Sequence, residues 1–235
     1  MLIGCKLYYF DSIDSTNEYA KSLINKAPEG TVILADQQTE GKGRSEKKWY
    51  SPLDGIWMSV ILRPPNISLV SIAAGISVCE ALHMMGILPG LKWPNDILLN
   101  YKKIGGILTE IIDDTVILGI GVNLNIRRFP KELMSIASSV FLETKKHLDK
   151  KTVFDLICKQ LDDCYAILKS NKTTRLLEKW RHYTLLLGQE VAIEMGDKTL
   201  TGRVLDIGND GGLVIMLPDR KVERVFGGVC HLKKR

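Results

Sequence analysis

The feature that most constrains this chain is a change of texture near Leu187-Gly188. Residues 189–232 break into short alternating stretches separated by Gly196-Asp197, Asn209-Asp210-Gly211-Gly212 and Pro218-Asp219. Regular turn signals between short strand-like runs describe a small all-β barrel of five strands. The preceding residues read differently, as an alternation of strand-like and helical patterns. The chain therefore divides into 1–186 and 187–235, one large unit and one small one.

Within the larger unit, Leu7–Phe10 reads as a strand and Ser15 to Lys26 as a helix, with Ser15 and Glu18 in capping-box spacing. Thr31–Ala35 and Ile56–Leu62 read as strands. Leu69–Met85 is apolar nearly all round, but Ser71, Ser77, Glu80 and His83 interrupt it, so it reads as a buried core helix rather than a membrane span. Asp96–Leu99, Ile104–Ile112 and Thr115–Val122 follow as three strands, the last two joined by an Asp113-Asp114 turn. Thr152–Lys169 carries Val153, Leu156, Ile157, Leu161, Cys164, Tyr165 and Leu168 on one face, and Thr174–Tyr183 is a further helix. Residues 37–54 show no apolar periodicity and read as a long loop, a kind that is usually functional or disordered.

Composition excludes several classes. Hydrophobic residues at 45% supply an ordinary core, and a net charge of +5 falls short of a dedicated nucleic-acid stripe. The five cysteines form no CxxC pair, and the four histidines show no ligand spacing, so buried reduced thiols are expected and a zinc site is not. Met1-Leu2-Ile3-Gly4-Cys5-Lys6 lacks the marks of a signal peptide, and the expected location is cytoplasmic.

Four short motifs carry candidate chemistry. Gly41-Lys42-Gly43-Arg44 with Lys47, Lys48 and Trp49 combines backbone that can approach a ligand with cations suited to triphosphate charge. It is not a P-loop, and a solvated charged loop has the same composition. Lys92-Trp93-Pro94-Asn95-Asp96 precedes a strand, and Lys103 and Gly106 follow; Lys103 suits either a ligand or a strand end where its stem lies on apolar surface. Gly119-Ile120-Gly121-Val122-Asn123 ends a strand without the helix a dinucleotide fingerprint requires. It either clears room for a flat ligand, read by Asn123, or bends the sheet. Ser15-Thr16-Asn17 opens a helix, where capping and holding a polar head group are compatible.

In this order the motifs resemble the biotin–protein ligases over nearly the whole chain. The resemblance implies an α+β fold: a class II aminoacyl-tRNA synthetase-like catalytic core, with a mixed, largely antiparallel sheet and helices on one side, plus a small SH3-like C-terminal β-barrel. It implies an enzyme that makes biotinyl-5′-adenylate from biotin and ATP, with Mg2+, and then transfers biotin to a lysine of a biotin carboxyl carrier protein or domain. Ser15, Thr16, Asn17 and Gln38 would hold the ureido ring. Gly41, Lys42, Gly43 and Arg44 would close over biotin and its adenylate, with Trp49 and Gly106 also beside biotin. Arg44, Lys47, Trp49, Asn95 and Asn123 would serve the nucleotide. Lys103 and Arg44 would be catalytic, Lys103 touching both the carboxylate and the α-phosphate. Lysine at 42 and 47, where the family usually has arginine, keeps charge but loses the planar two-pronged donor. No DNA-binding domain precedes the core, so the resemblance implies a ligase only, without DNA or membrane partners, and a homodimer through sheet edges. Attachment of lipoate on a related fold and nucleic-acid binding are the rival readings.

Overall fold

The computed structural model describes residues 1–233; Lys234 and Arg235, which close the expected 187–235 unit, lie outside the described residues. The larger unit begins with β1 (Leu7–Ile13), α1 (Thr16–Ser22), β2 (Val32–Gln38), β3 (Ile56–Leu62) and α2 (Val70–Met84). It continues through β4 (Gly90–Lys92), β5 (Asp96–Leu99), β6 (Lys102–Ile112), β7 (Thr115–Val122), α3 (Val140–Thr144), α4 (Lys150–Lys169) and α5 (Thr173–Tyr183). The strands form one seven-stranded sheet in the order β1-β2-β3-β7-β6-β5-β4. Only β1 and β2 run parallel; the other pairings are antiparallel.

All seven residues of β3 are buried, because both faces of the sheet are covered there. Met58, Val60 and Leu62 share a large core with Val116, Leu118 and Ile120 of β7 and with Ile72 and Ile76 of α2. The alternate residues Ile61 and Ile117 pack instead with Ala20 of α1 and Ile33 of β2. Helices therefore lie on two faces, α2 on one and α1 on the other, which corrects the single helical layer expected from the sequence. α4 turns its buried stripe (Val153, Ile157, Leu161, Cys164, Leu168) into the α2 core. The apolar stretch Ile67–Met84 is long enough to cross a membrane, but 67% of it is buried inside the fold.

Three local expectations change. The helix after Ser15 ends at Ser22 rather than Lys26, because Leu23 N donates to Ala20 O and Lys26 N to Leu23 O, closing tight three-residue turns. The capping box is half formed. Ser15 caps Glu18 N, while the Glu18 carboxylate turns to lysines. Residues 37–54 are also more ordered than a plain loop. Ser45 and Glu46 adopt left-handed φ values of 53° and 57°, which bring Gly43 N to 2.7 Å from Lys47 O. Bridges Lys42↔Lys48 and Gln38↔Ser51 then extend a narrow hairpin toward β2.

The smaller unit holds β8 (Glu190–Met195), β9 (Lys198–Ile207), β10 (Leu213–Met216), β11 (Val222–Val225) and β12 (Val229–Leu232). These form an antiparallel sheet in the order β11-β10-β9-β8-β12. Its buried residues Val191, Ile193, Val204 and Ile215 belong to the same continuous core as the larger unit. Trp93 Nε1 donates to Gly211 O at 3.1 Å, and Arg181 grips Asp206 with two bonds of 2.8 and 2.9 Å. The end of β9 and the turn that follows it are thereby fixed to the larger unit.

Candidate active site

A cleft of about 1050 Å³ lies over the α1-bearing face of the sheet. Its polar end is built at the start of α1. Ser15, Thr16 and Asn17 are buried, so their polar atoms must find partners. Thr16 donates to Gln38 Oε1 from its backbone N (2.8 Å) and its hydroxyl (3.0 Å). Gln38 Nε2 donates to Ser51 Oγ at 2.9 Å. Asn17 Nδ2 donates to Glu110 Oε2 at 2.7 Å, and Asn17 Oδ1 faces Ser59 Oγ at 2.5 Å. Gly119 is needed underneath: a Cβ there would stand 2.6 Å from Asn17 Oδ1.

The hairpin 41–49 forms one wall. Its neck closes where Trp49 N donates to Gly41 O at 2.7 Å. The Trp49 indole lies flat on the two glycines of neighbouring strands. A Cβ on Gly121 would stand 2.7 Å from Trp49 Nε1, and one on Gly106 3.1 Å from Cζ3. Room for a flat group is what these glycines provide, and here the flat group is the protein's own. The four hairpin cations diverge. Lys42 Nζ lies 2.6 Å from Glu18 Oε1. Arg44 donates to Asn95 Oδ1 (3.0 Å) and to Gly228 O (3.2 Å) of the smaller unit. Lys47 and Lys48 are exposed.

An ion triad lies in the wall of the cleft. Asp96 Oδ1 is 2.5 Å from Lys103 Nζ, and its other oxygen is 3.0 Å from Lys92 Nζ. Burial opposes ionisation of Asp96, but the two ammonium groups outweigh it and hold its carboxyl below the usual carboxylate range. Lys103 Nζ also sits 5.0 Å from the Trp49 ring centroid, in cation–π range. Its backbone is pinned on both sides: Lys103 N donates to Ile136 O, and Lys103 O accepts from Ser138 N.

Two asparagines lie beyond the lysine. Asn95 Nδ2 donates to Ile107 O at 2.7 Å while its Oδ1 receives Arg44. Asn123 Nδ2 donates to Ser138 O at 2.9 Å. Two atoms break the rule that buried polar groups are paired: Asn123 Oδ1 and Trp49 Nε1 are buried without a partner among the described residues. An unmet acceptor and an unmet donor in one cleft mark places where a ligand would pair.

Of the residues singled out in the sequence for this chemistry, Ser15, Thr16, Asn17, Gln38, Lys42, Gly43, Arg44, Lys47, Trp49, Asn95, Lys103, Gly106 and Asn123 line the cleft, while Gly41 sits behind it in the hairpin neck against Gln38, Trp49 and Ser51. Sequence reasoning missed Asp96 as the lysine's partner, Ser59 and Glu110 as the supports of Asn17, and the rim formed by 135–137 and 228–232. Ser59 could have been found, since it is the one polar residue in the run Ile56–Leu62.

Two family models match: Biotin/lipoate A/B protein ligase family over residues 9–126, and Biotin protein ligase C terminal domain over 186–233. The chain belongs to this family, on its biotin protein ligase branch. It is 36% identical to the bifunctional ligase/repressor BirA of Bacillus spizizenii, over 98% of this chain and 75% of that protein. It is 30% identical to the biotin–[acetyl-CoA-carboxylase] ligase of Mycobacterium tuberculosis, over 87% and 80%. Among solved structures, biotin protein ligase from Aquifex aeolicus in complex with biotin and ATP superposes with a TM-score of 0.89. That match has 31% identity and covers 98% of this chain and 100% of the other.

Proposed function

We propose that this biotin protein ligase binds the ureido end of biotin at Ser15, Thr16, Asn17 and Gln38 and places its carboxylate at Lys103, facing the α-phosphate of ATP. Gly41, Lys42 and Gly43 supply backbone that closes over the acid, and Gly106 seats the Trp49 indole beside it. Arg44, Lys47, Trp49, Asn95 and Asn123 take the nucleotide. The carboxylate oxygen attacks the α-phosphorus, the bond to the β-phosphate breaks, and pyrophosphate leaves. Two anions must meet in this step, and fixed cations at Lys103 and Arg44 offset their repulsion in the transition state. A neutral lysine amine then attacks the acyl carbon and AMP departs. Neither step requires a nucleophilic Ser or Cys.

The observation that carries the reading is the buried, unpaired Oδ1 of Asn123. With one Nδ2 hydrogen bonded to Ser138 O, Oδ1 is the acceptor this side chain leaves unpaired. Oδ1 matches the exocyclic amine of adenine, a donor that hypoxanthine replaces with a carbonyl. Exchange assays with ATP and inosine triphosphate test this. ATP should support biotin-dependent pyrophosphate exchange at least about a hundredfold better in kcat/KM, as expected where a site pairs with a specific polar group. Equal use of the two nucleotides would contradict it.

Mg2+ fits as a companion of the triphosphate. The described residues hold no group of three potential metal-ligating His, Cys, Asp or Glu side chains. Asp96, already paired with two lysines, is the one carboxylate lining the cleft and could add a single oxygen. The acceptor we propose is a carboxyl carrier domain, supported by the name of the Mycobacterium tuberculosis relative. We further propose a cytoplasmic homodimer. Support comes from the edge strand β1, whose Leu7 and Tyr9 are exposed, and from four thiols buried in reduced form.

A further inference from the structure

Lys42 was expected among cations facing triphosphate, yet its ammonium points to the other side of the hairpin. Lys42 Nζ and Lys21 Nζ share one oxygen, Glu18 Oε1, at 2.6 and 2.7 Å. Lys21 also reaches Glu110 Oε1 at 2.7 Å, and the second oxygen of Glu110 receives Asn17 Nδ2. Asn17 and Thr16 meet at Ser59, and Thr16 leads through Gln38 and Ser51 back to Trp49 O at the hairpin neck. Charges alternate from Lys42 to Glu110, so Glu18 lies between two lysines and Lys21 between two carboxylates. The circuit ties the neck of the hairpin to α1 and to the polar end of the cleft at once. The lysines lower the Glu18 carboxyl pKa, so the pair stays charged throughout the neutral range.

We propose that Glu18 is a positioning residue that latches the 41–49 hairpin over the cleft through Lys42, and so sets how long the acyl-adenylate is retained. This rests on the reading that the cleft forms an adenylate, but the latch itself exists in the protein without substrates. A mixed anhydride must be shielded from water until the acceptor lysine arrives, so the closed fraction of the hairpin is what the latch controls. The contact is partly exposed, with side-chain accessibilities of 43% for Lys42 and 35% for Glu18. Its strength is therefore modest and screened by salt.

Hydrogen exchange at the Gly43 and Trp49 amides, with neither biotin nor ATP present, tests the latch. Glu18→Ala and Lys42→Ala should each speed exchange between about 1.4- and fivefold, the range for partly exposed ion pairs. Glu18→Ala with Lys42→Ala together should match the larger single effect, because both remove one interaction. Raising the salt concentration should speed exchange in the parent and leave the variants unchanged. Additive effects, or no effect of Lys42→Ala, would overturn the latch. Lys42 lies on an exposed hairpin, so its variant folds even if Glu18→Ala disturbs α1. In parent protein loaded with biotin and ATP, release of adenylate after a chase should be slower by the same factor than in the variants. If pyrophosphate exchange is absent while the amide result holds, the adenylate reading fails and the latch stands.

Discussion

Replacing Lys103 by methionine separates a structural from a catalytic role. Lys103 Nζ is 2.5 Å from Asp96, with side-chain accessibilities of 31% and 16%. Methionine keeps most of the stem's volume and removes the charge. Asp96 retains Lys92 at 3.0 Å, so the carboxylate is not left alone. The loss of stability should stay near that of one hydrogen bond to a charged group, about 1.5–3 kcal/mol. For a chain of this size each kcal/mol lowers Tm by about 2–4 °C, giving a fall of about 3–12 °C. A typical reserve of about 5–15 kcal/mol keeps the variant folded at room temperature. Any loss of rate there is therefore chemical. Removing a cation that meets developing charge costs about 100- to 1000-fold in kcat. The assay is pyrophosphate exchange at saturating biotin and ATP, beside a thermal melt of the same preparation. A lower Tm with exchange within about twofold of the parent would refute the catalytic role and leave Lys103 a strand-end ion pair.

Ser59→Ala removes the hydroxyl bridging Thr16 and Asn17, so KM for biotin should rise about fivefold, the effect of one lost hydrogen bond, while KM for ATP holds; titrations of both substrates check it. Gly121→Ala puts a Cβ 2.7 Å from Trp49 Nε1 and should displace the indole, read as altered tryptophan fluorescence and a KM for ATP raised at least about tenfold. The carboxyl pKa values of Asp96 and Glu29 lie below their ordinary values in the folded protein, despite burial, because two lysines hold Asp96 charged and Lys169, the Tyr165 hydroxyl and Arg63 N hold Glu29 charged. Their stabilisation is complete above about pH 4, the unfolded range, and is lost as pH falls through the folded values. Urea midpoints should drop between pH 4 and 3, and less so in Glu29→Gln; equal slopes would contradict this.

Much of the cleft floor was legible because its constraints are local. Ser15-Thr16-Asn17 marks a helix start by its hydroxyls, and Gly119, Gly121 and Gly106 mark strands that must leave room above them. Order along the chain also brought Lys103 and Asn123 into one reading. Long-range partners were not legible. Glu110 lies 93 residues from Asn17, and only the pairing of β6 with β7 above α1 brings them together. The divergence of Lys42, Arg44, Lys47 and Lys48 was hidden for a similar reason. Four cations in one stretch look alike until the left-handed turn at Ser45-Glu46 aims them differently. The two-sided placement of helices follows from Ile61 and Ile117 facing away from Val60 and Leu118, which strands apolar on both faces do not display in their sequence.

The most direct test is exchange of labelled pyrophosphate into ATP by the purified chain, with biotin, with lipoate, and with neither. Exchange that requires biotin, and that lipoate neither replaces nor inhibits, is the predicted result. Exchange supported by lipoate but not biotin, or no acid-dependent exchange at all, would contradict the account.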